Sequence, residues 1–381
     1  MTPTTAHSRM WSPRRLLPLA ALIAVGACSS SDGVIRIGVA GPFEQSRGAS
    51  MRMAADLAAT EINRSGGIGG RRIELVFRDD GADAERAVQV AQAFYDDASV
   101  VAVVGHLTSG TTLAAAPVYN GGESPLVEIS PSASNPRLSD AGPYTFRVCP
   151  TDLLHGARLA EWAAREVGAT RAAVMYRNDD YGRGVRTIFK DGFSAQGGTI
   201  VADDPYLDDL PSFEPYLRRI QRRGGAQVLM IAGTREGAEQ ILQALTAAGM
   251  RPAVMGGDGI SGLESDTVNA EGVLISTAYL PDRPGAENAA FVRAYRAANN
   301  DREPDHRGAG TYDIIRLLAL AIEATGPDRA AIRDYLAGFG SSREAYEGVT
   351  GRIAFDENGD VPDKDVVIGI ARGGRLVTAG R

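Results

Sequence analysis

The chain has 381 residues, a formal charge of −7 at pH 7 and 44% hydrophobic residues. The acidity excludes a general nucleic-acid binder, which needs a basic surface, while the length and apolar content suit two domains with ample cores. Of the two cysteines, Cys28 and Cys149, only Cys149 lies in the globular part, so no intramolecular disulfide is expected to hold the fold together.

The first residues carry Arg9, Arg14 and Arg15 and no acidic residue, and residues 16–27 are almost wholly apolar. That run is too short for a permanent membrane span, which needs roughly 20 apolar residues, and a basic stretch before a short apolar one reads as a secretory signal. Val25-Gly26-Ala27-Cys28 resembles a bacterial lipobox. The resemblance implies a signal peptide over residues 1–27, a lipid on Cys28 that holds the chain to a membrane, and a flexible tether over residues 28–33.

From Val34 onward strand and helix signals alternate. Residues 34–40 read as a strand ending at Gly41-Pro42, and residues 51–63 as a helix with Met53, Leu57, Ala58 and Ile62 near one face. A glycine-rich turn at 65–70 leads to a strand at 72–77, a helix at 84–95 and the β-branched run 100–104, which suits a strand buried on both faces. Residues 126–130 give another strand. A second series follows near Pro150: helix 153–167, strand 172–176, helix 184–193, strand 199–202, helix 213–222, strand 228–232, helix 237–248 and strand 253–255. After Gly272 come a strand at 273–277 and helices near 289–299 and 312–325. The β-α alternation predicts α/β architecture: two Rossmann-like doubly wound lobes plus a C-terminal portion shared between them.

Ligands of open parallel sheets sit beyond the carboxyl ends of the strands, so the residues just after each apolar run are the candidates. Lobe one offers Ser109 in Gly105–Thr112, and Ser132 and Ser134 in Pro131–Pro136; lobe two offers Tyr181, Thr234 and Asp258. Hydroxyls and free N–H groups at a helix start favour an anion. An aromatic ring and a carboxylate suit an ammonium and its cover. The set therefore matches a zwitterion. Each residue also has a plainer use. Serine and threonine after a strand cap helices, the preferred reading for Thr111 and Thr112 and an even one for Ser109; Asp258-Gly259 is a turn signal; Tyr181 could pack under its own loop.

These segments resemble the branched-chain amino-acid-binding (leucine-binding) family of type I periplasmic solute-binding proteins of ABC transporters. The similarity runs from Val34 to Leu376 and is carried by Glu61-Ile62-Asn63, Gly66–Arg71, Asp79-Asp80, Val104-Gly105-His106 with Ser109, Ser130–Ser134, Phe146-Arg147, Asp180-Tyr181-Gly182 and Phe355–Asp360. It implies that Ser109 holds a ligand carboxylate, that Ser132 and Ser134 contact the head group, that Tyr181 closes over the ligand, and that Asp258 pairs with its ammonium. Ser46, Thr234 and Arg307 stand at or near positions where the resemblance implies aromatic rings, which puts leucine itself in question. Arg47 and Arg307 could meet an acidic side chain, although arginines on loops are more often solvated surface.

The implied organisation is residues 34–148 plus 274–362 in lobe one and 149–273 plus 363–381 in lobe two, with crossings near 147–151, 272–277 and 363–368. The implied function is an extracytoplasmic, monomeric, lipid-anchored protein that passes an amino acid or close analogue to an ABC permease. The alternative is a ligand sensor of the same fold. A hydrolase is the weaker rival: Ser109, His106 and Asp79 could be imagined as a triad, yet no Gly-x-Ser-x-Gly elbow is present. No histidine spacing predicts a metal, and no motif calls for a cofactor.

Overall fold

The computed structural model describes residues 1–5, 33–207 and 210–380. Most of the expected signal segment, and Cys28 with nearly all of its tether, lie outside these residues. No helix among the described residues is long and apolar enough to cross a membrane.

The first lobe is built on β1 (Ile35–Gly41), α1 (Ser46–Arg64), β2 (Ile73–Asp79), α2 (Ala84–Tyr95), β3 (Val100–Val104), α3 (Ser109–Asn120), β4 (Glu128–Ser130) and β5 (Thr145–Arg147). Its sheet is wholly parallel in the order β2-β1-β3-β4-β5. β3 is Val-Val-Ala-Val-Val and buried at every position, as expected of a central strand covered on both faces. Phe94 and Tyr119 of α2 and α3 seal one face. On the other, Met51, Ala54 and Ala58 of α1 pack against Ile37 and Val39.

The chain crosses after β5 into α4 (Asp152–Arg165), β6 (Arg171–Arg177), α5 (Asp180–Ala195), β7 (Thr199–Tyr206), α6 (Glu214–Arg222), β8 (Val228–Ala232), α7 (Arg235–Ala247), β9 (Ala253–Gly256) and β10 (Leu274–Thr277). The alternation again gives a doubly wound lobe. Phe189 and Phe193 of α5 pack with α4 on one face, and Leu217, Ile241 and Leu245 of α6 and α7 on the other. The chain returns to lobe one through α8 (Ala286–Ala298), α9 (His306–Thr325), α10 (Arg329–Ala337) and the hairpin β11 (Tyr346–Gly348)–β12 (Gly351–Ile353). It ends with β13 (Val367–Arg372) and β14 (Arg375–Thr378). These last two are antiparallel additions to the second sheet, whose order is β14-β13-β10-β9-β8-β6-β7.

One strand lies on the other side of the expected boundary. The sequence pattern places Leu274–Thr277 in the first lobe, but β10 pairs in parallel with β9, Leu274 opposite Met255, and antiparallel with β13. The chain therefore leaves the second lobe after Thr277, and Tyr279 is the first residue beyond it in the lobe-one core. A four-residue apolar strand has the same local pattern in either sheet; only its ladder assigns it.

Both sheets carry their topological switch beside the first strand of the lobe: between β1 and β3, and between β6 and β8. The strand ends at the two switches face the cleft between the lobes.

Candidate functional site

Tyr181 and Asp258 meet directly. Asp179 caps α5 by accepting the Gly182 N–H at 2.7 Å, which sets Tyr181 in the first helical turn. The Tyr181 hydroxyl donates to Asp258 Oδ1 at 3.0 Å and accepts the Gly259 N–H at 2.8 Å. The ring lies across the loop after β9 because that loop is glycine there: a Cβ on Gly257 would sit 2.4 Å from the tyrosine oxygen, and one on Gly259 2.6 Å from the ring.

Asp258 is 2% exposed. Its Oδ2 has no hydrogen-bond partner among the described residues but lies 3.4 Å from His306 Nε2 and 4.0 Å from His155 Nε2. His306 comes from α9 of lobe one, and His155 from α4 of lobe two. His306 Nε2 is also 3.2 Å from the Ser132 hydroxyl, so the lobe-one serine and the lobe-two carboxylate meet through one imidazole. Ser109 is linked differently: its hydroxyl accepts the Asn135 N–H at 3.2 Å, and the Asn135 side chain donates across the cleft to the Asp180 carbonyl at 2.6 Å. Ser134 is fully buried, its carbonyl accepts the Asp152 N–H at 2.8 Å, and its hydroxyl lies beside the Asp152 carboxyl.

Thr234 and Ser46 stand apart from this cluster, at the starts of α7 and α1. Thr234 caps that helix through the Gly237 N–H at 3.4 Å, which is the plainer use of a threonine after a strand. The Ser46 hydroxyl donates to Glu236 across the cleft at 3.1 Å. His106, the imagined base of a triad, is engaged elsewhere: Nδ1 is 2.7 Å from Asp80 and Nε2 is 3.2 Å from the Tyr119 hydroxyl.

Arg307 is not a solvated loop residue. It is 4% exposed in the first turn of α9, pairs with Asp305 at 2.9 Å and donates to the Asp258 carbonyl at 2.9 Å. Burial is possible because the carboxylate and the carbonyls take up its N–H groups.

The electrostatics follow from burial. Desolvation lowers the pKa of His155 and, with repulsion from Arg307, brings His306 down to about 4. Both rings are therefore neutral near pH 7. Burial also opposes the charge on Asp258, but the rings, Arg307 and the Tyr181 hydroxyl outweigh it and hold the pKa below the usual carboxylate value. The cluster thus presents an ionised carboxylate with one oxygen left without a hydrogen-bond partner.

Asp152 behaves oppositely. Burial raises it to about 8, and the charge of Asp258 adds to the rise. Its folded pKa exceeds the unfolded one, so the folded chain holds a proton that the unfolded chain has lost, and stability falls as pH rises from about 4 toward 8. Asp152→Asn, neutral at every pH, is expected to gain in melting temperature over the wild type as pH goes from 5 to 8. An equal difference at both pH values would count against a protonated Asp152.

His155, His306 and Asp152 carried no signal in the sequence. His306 on α9 is remote along the chain from Asp152 and His155, which share the start of α4. Their proximity to Asp258 exists only once α4 and α9 are packed.

A family model described as "Periplasmic binding protein" matches residues 35–375. The Leu/Ile/Val-binding protein homolog 1 of Brucella abortus is 28% identical over 90% of this chain and 91% of its own length. An amino acid binding protein of Pseudomonas aeruginosa is 28% identical over 93% and 94%. Among solved structures, an ABC transporter substrate-binding protein from Desulfitobacterium hafniense in complex with Leu is similar with a TM-score of 0.76 at 33% identity, covering 91% of this chain and 99% of that one.

Proposed function

Because the chain belongs to the periplasmic binding protein family and has its two-lobed type I fold, we propose that it captures an amino acid or a close analogue in the interlobe cleft and delivers it to an ABC importer. The observation that carries this reading is the buried Asp258 carboxylate, which Tyr181 orients and which keeps one oxygen for a cation. A ligand ammonium supplies that cation, and burial without such a partner is costly. The hydroxyls of Ser109, Ser132 and Ser134 and the N–H groups at the start of α3 lie on the opposing lobe and suit the carboxylate. Neither lobe by itself satisfies a zwitterion, so the ligand favours the closed arrangement by its differential affinity. The relatives named for amino acids, and the similar structure that holds Leu, support the same class. Ser46 and Thr234 bound the side-chain end of this site.

The protein works outside the cytoplasm, monomeric and held to a membrane through a lipid on Cys28, without catalysis. The Ser132 hydroxyl lies 3.2 Å from His306 Nε2, but Asp258 faces that same nitrogen and no carboxylate holds Nδ1 among the described residues, so the arrangement lacks the relay of a Ser-His-Asp triad and serves recognition.

Thermal shift of the mature protein tests the reading. An amino acid at 100 times its Kd should stabilise the fold by roughly 2.7 kcal/mol, and the same compound without its amino group should give little. Equal shifts from the deaminated analogues, or none from any amino acid, would overturn it. Mass spectrometry of the membrane fraction tests the anchor, which fails if wild-type cells release the mature protein unmodified at Cys28.

A further inference from the structure

Asn135 lies in the loop after β4 and is 5% exposed. Each of its polar groups is engaged. The backbone N–H donates to the Ser109 hydroxyl at 3.2 Å, and the carbonyl accepts from Arg147 Nη1 at 2.7 Å. Side-chain Oδ1 accepts the Arg137 N–H at 2.9 Å and caps the short helical turn Pro136–Asp140. These partners all belong to lobe one. Nδ2 alone leaves it, donating to the Asp180 carbonyl of lobe two at 2.6 Å. Pro136 holds Asn135 in an extended conformation. With Oδ1 committed to the cap, the amide turns its donor side toward Asp180.

The approach is close because Gly184 of α5 has no side chain: a Cβ there would lie 3.2 Å from Asn135 Nδ2. Arg137 also reaches the Asp180 carboxylate, at 3.3 Å, but its side chain is exposed, and exposed ion pairs are worth little. The buried amide bond is therefore the stronger tie between this loop and α5. At the other end of Asn135, the Ser109 oxygen takes the backbone N–H and the hydroxyl keeps its own proton to donate. A carboxylate accepting that proton polarises the hydroxyl and strengthens its bond to Asn135.

We propose that Asn135 is the latch of the cleft: a positioning residue that does not touch the ligand but links a carboxylate held by Ser109 to closure of lobe two. The inference rests on the reading that Ser109 receives the carboxylate of an amino acid. The ligand enters with the lobes apart, when the Asn135 amide and the Asp180 carbonyl each bond to water. The latch forms on closing. Its loss lowers the closing equilibrium, so the ligand leaves faster while its association is unchanged.

Thermal shift of the mature protein with the standard L-amino acids identifies a binder, and stopped-flow fluorescence with that amino acid compares the wild type with Asn135→Ala and Asn135→Asp. Circular dichroism establishes that both variants are folded. Aspartate caps a helical turn as well as asparagine does but sets an acceptor against the Asp180 carbonyl. A capping role alone is therefore rescued by Asn135→Asp, and a latch is not. Dissociation should quicken by about threefold to tenfold in Asn135→Ala, as one lost hydrogen bond implies, and by at least as much in Asn135→Asp, with association rates unchanged in both. Asn135→Asp dissociating at the wild-type rate, or a loss of affinity through association alone, overturns the latch and leaves the amino-acid reading standing. A wild type that binds none of the amino acids overturns that reading and the latch with it.

Discussion

Asp258→Ala is expected to weaken amino-acid binding by roughly 3–5 kcal/mol, the cost of removing one member of a buried charge pair. That is a loss of about a hundredfold to several thousandfold in affinity. The size follows from the surroundings. Asp258 is buried, His155 and His306 are held neutral, and Arg307 is already engaged by Asp305 and by the Asp258 carbonyl. A ligand ammonium entering the variant would find no anion to replace its hydration. Asp258→Asn keeps the shape and the bond from Tyr181 but not the charge, and should fall between. Ser109→Ala should cost only about 0.5–1.5 kcal/mol, because it removes one hydroxyl from a site that retains its N–H donors. Calorimetry checks all three, with circular dichroism to establish that each variant is folded. Tight binding by Asp258→Ala would mean that the ligand carries no ammonium.

The second large effect concerns stability. Arg147→Ala is expected to destabilise the fold by about 3–5 kcal/mol, since it leaves Asp360 charged and buried without its partner. Arg147 is 2% exposed and lies where the chain first leaves lobe one. Its Nε donates to Asp360 Oδ1 at 2.7 Å, Nη1 to the Asn135 carbonyl at 2.7 Å and Nη2 to the Ser139 hydroxyl at 2.9 Å. Ser139 in turn donates to Asp360 Oδ2 at 2.6 Å, and the Arg147 N–H donates to the Gly359 carbonyl at 3.0 Å. The pair therefore ties the first crossing to the segment that leads into the third. Removing both charges is a different perturbation from removing one, because apolar pairs of similar volume often replace buried ion pairs at little cost. Arg147→Met with Asp360→Leu should accordingly unfold at a higher denaturant concentration than Arg147→Ala. Urea unfolding followed by circular dichroism checks both variants. A wild-type midpoint for Arg147→Ala would show that the pair contributes nothing net.

On the proposed reading, binding at this cluster and closure of the lobes are linked. His306 and Arg307 belong to lobe one yet touch Asp258 in lobe two, and Asn135 and Arg137 reach Asp180 across the cleft. Opening the lobes separates His306 from Asp258 and exposes the carboxylate to water, which weakens its hold on a cation. The closed form is therefore where the carboxylate is most selective.

The pattern of residues along the chain determined the elements and the class of fold. Val100–Val104 suited a strand buried on both faces, because five consecutive apolar, mostly β-branched residues have no solvent side, and all five are buried. The helix Ala84–Tyr95 follows from its period and from Asp83 at its cap, which accepts the Arg86 N–H. The positions of Ser109, Ser132, Ser134, Tyr181 and Asp258 after strands were likewise legible, since parallel sheets place such residues at one edge. Tertiary structure decided what local pattern cannot encode. Leu274–Thr277 entered the second sheet because its ladder with Met255 and Ile370 is a long-range choice. Arg307 became buried because Asp305 and two carbonyls received its N–H groups, and burial is a property of neighbours. His155 and His306 reached Asp258 from α4 and α9, which meet in space through packed helix faces. The sequence could place the carboxylate at the cleft; only the packing around it determined that two neutral imidazoles would flank it and that one of its oxygens would be left without a hydrogen-bond partner among the described residues.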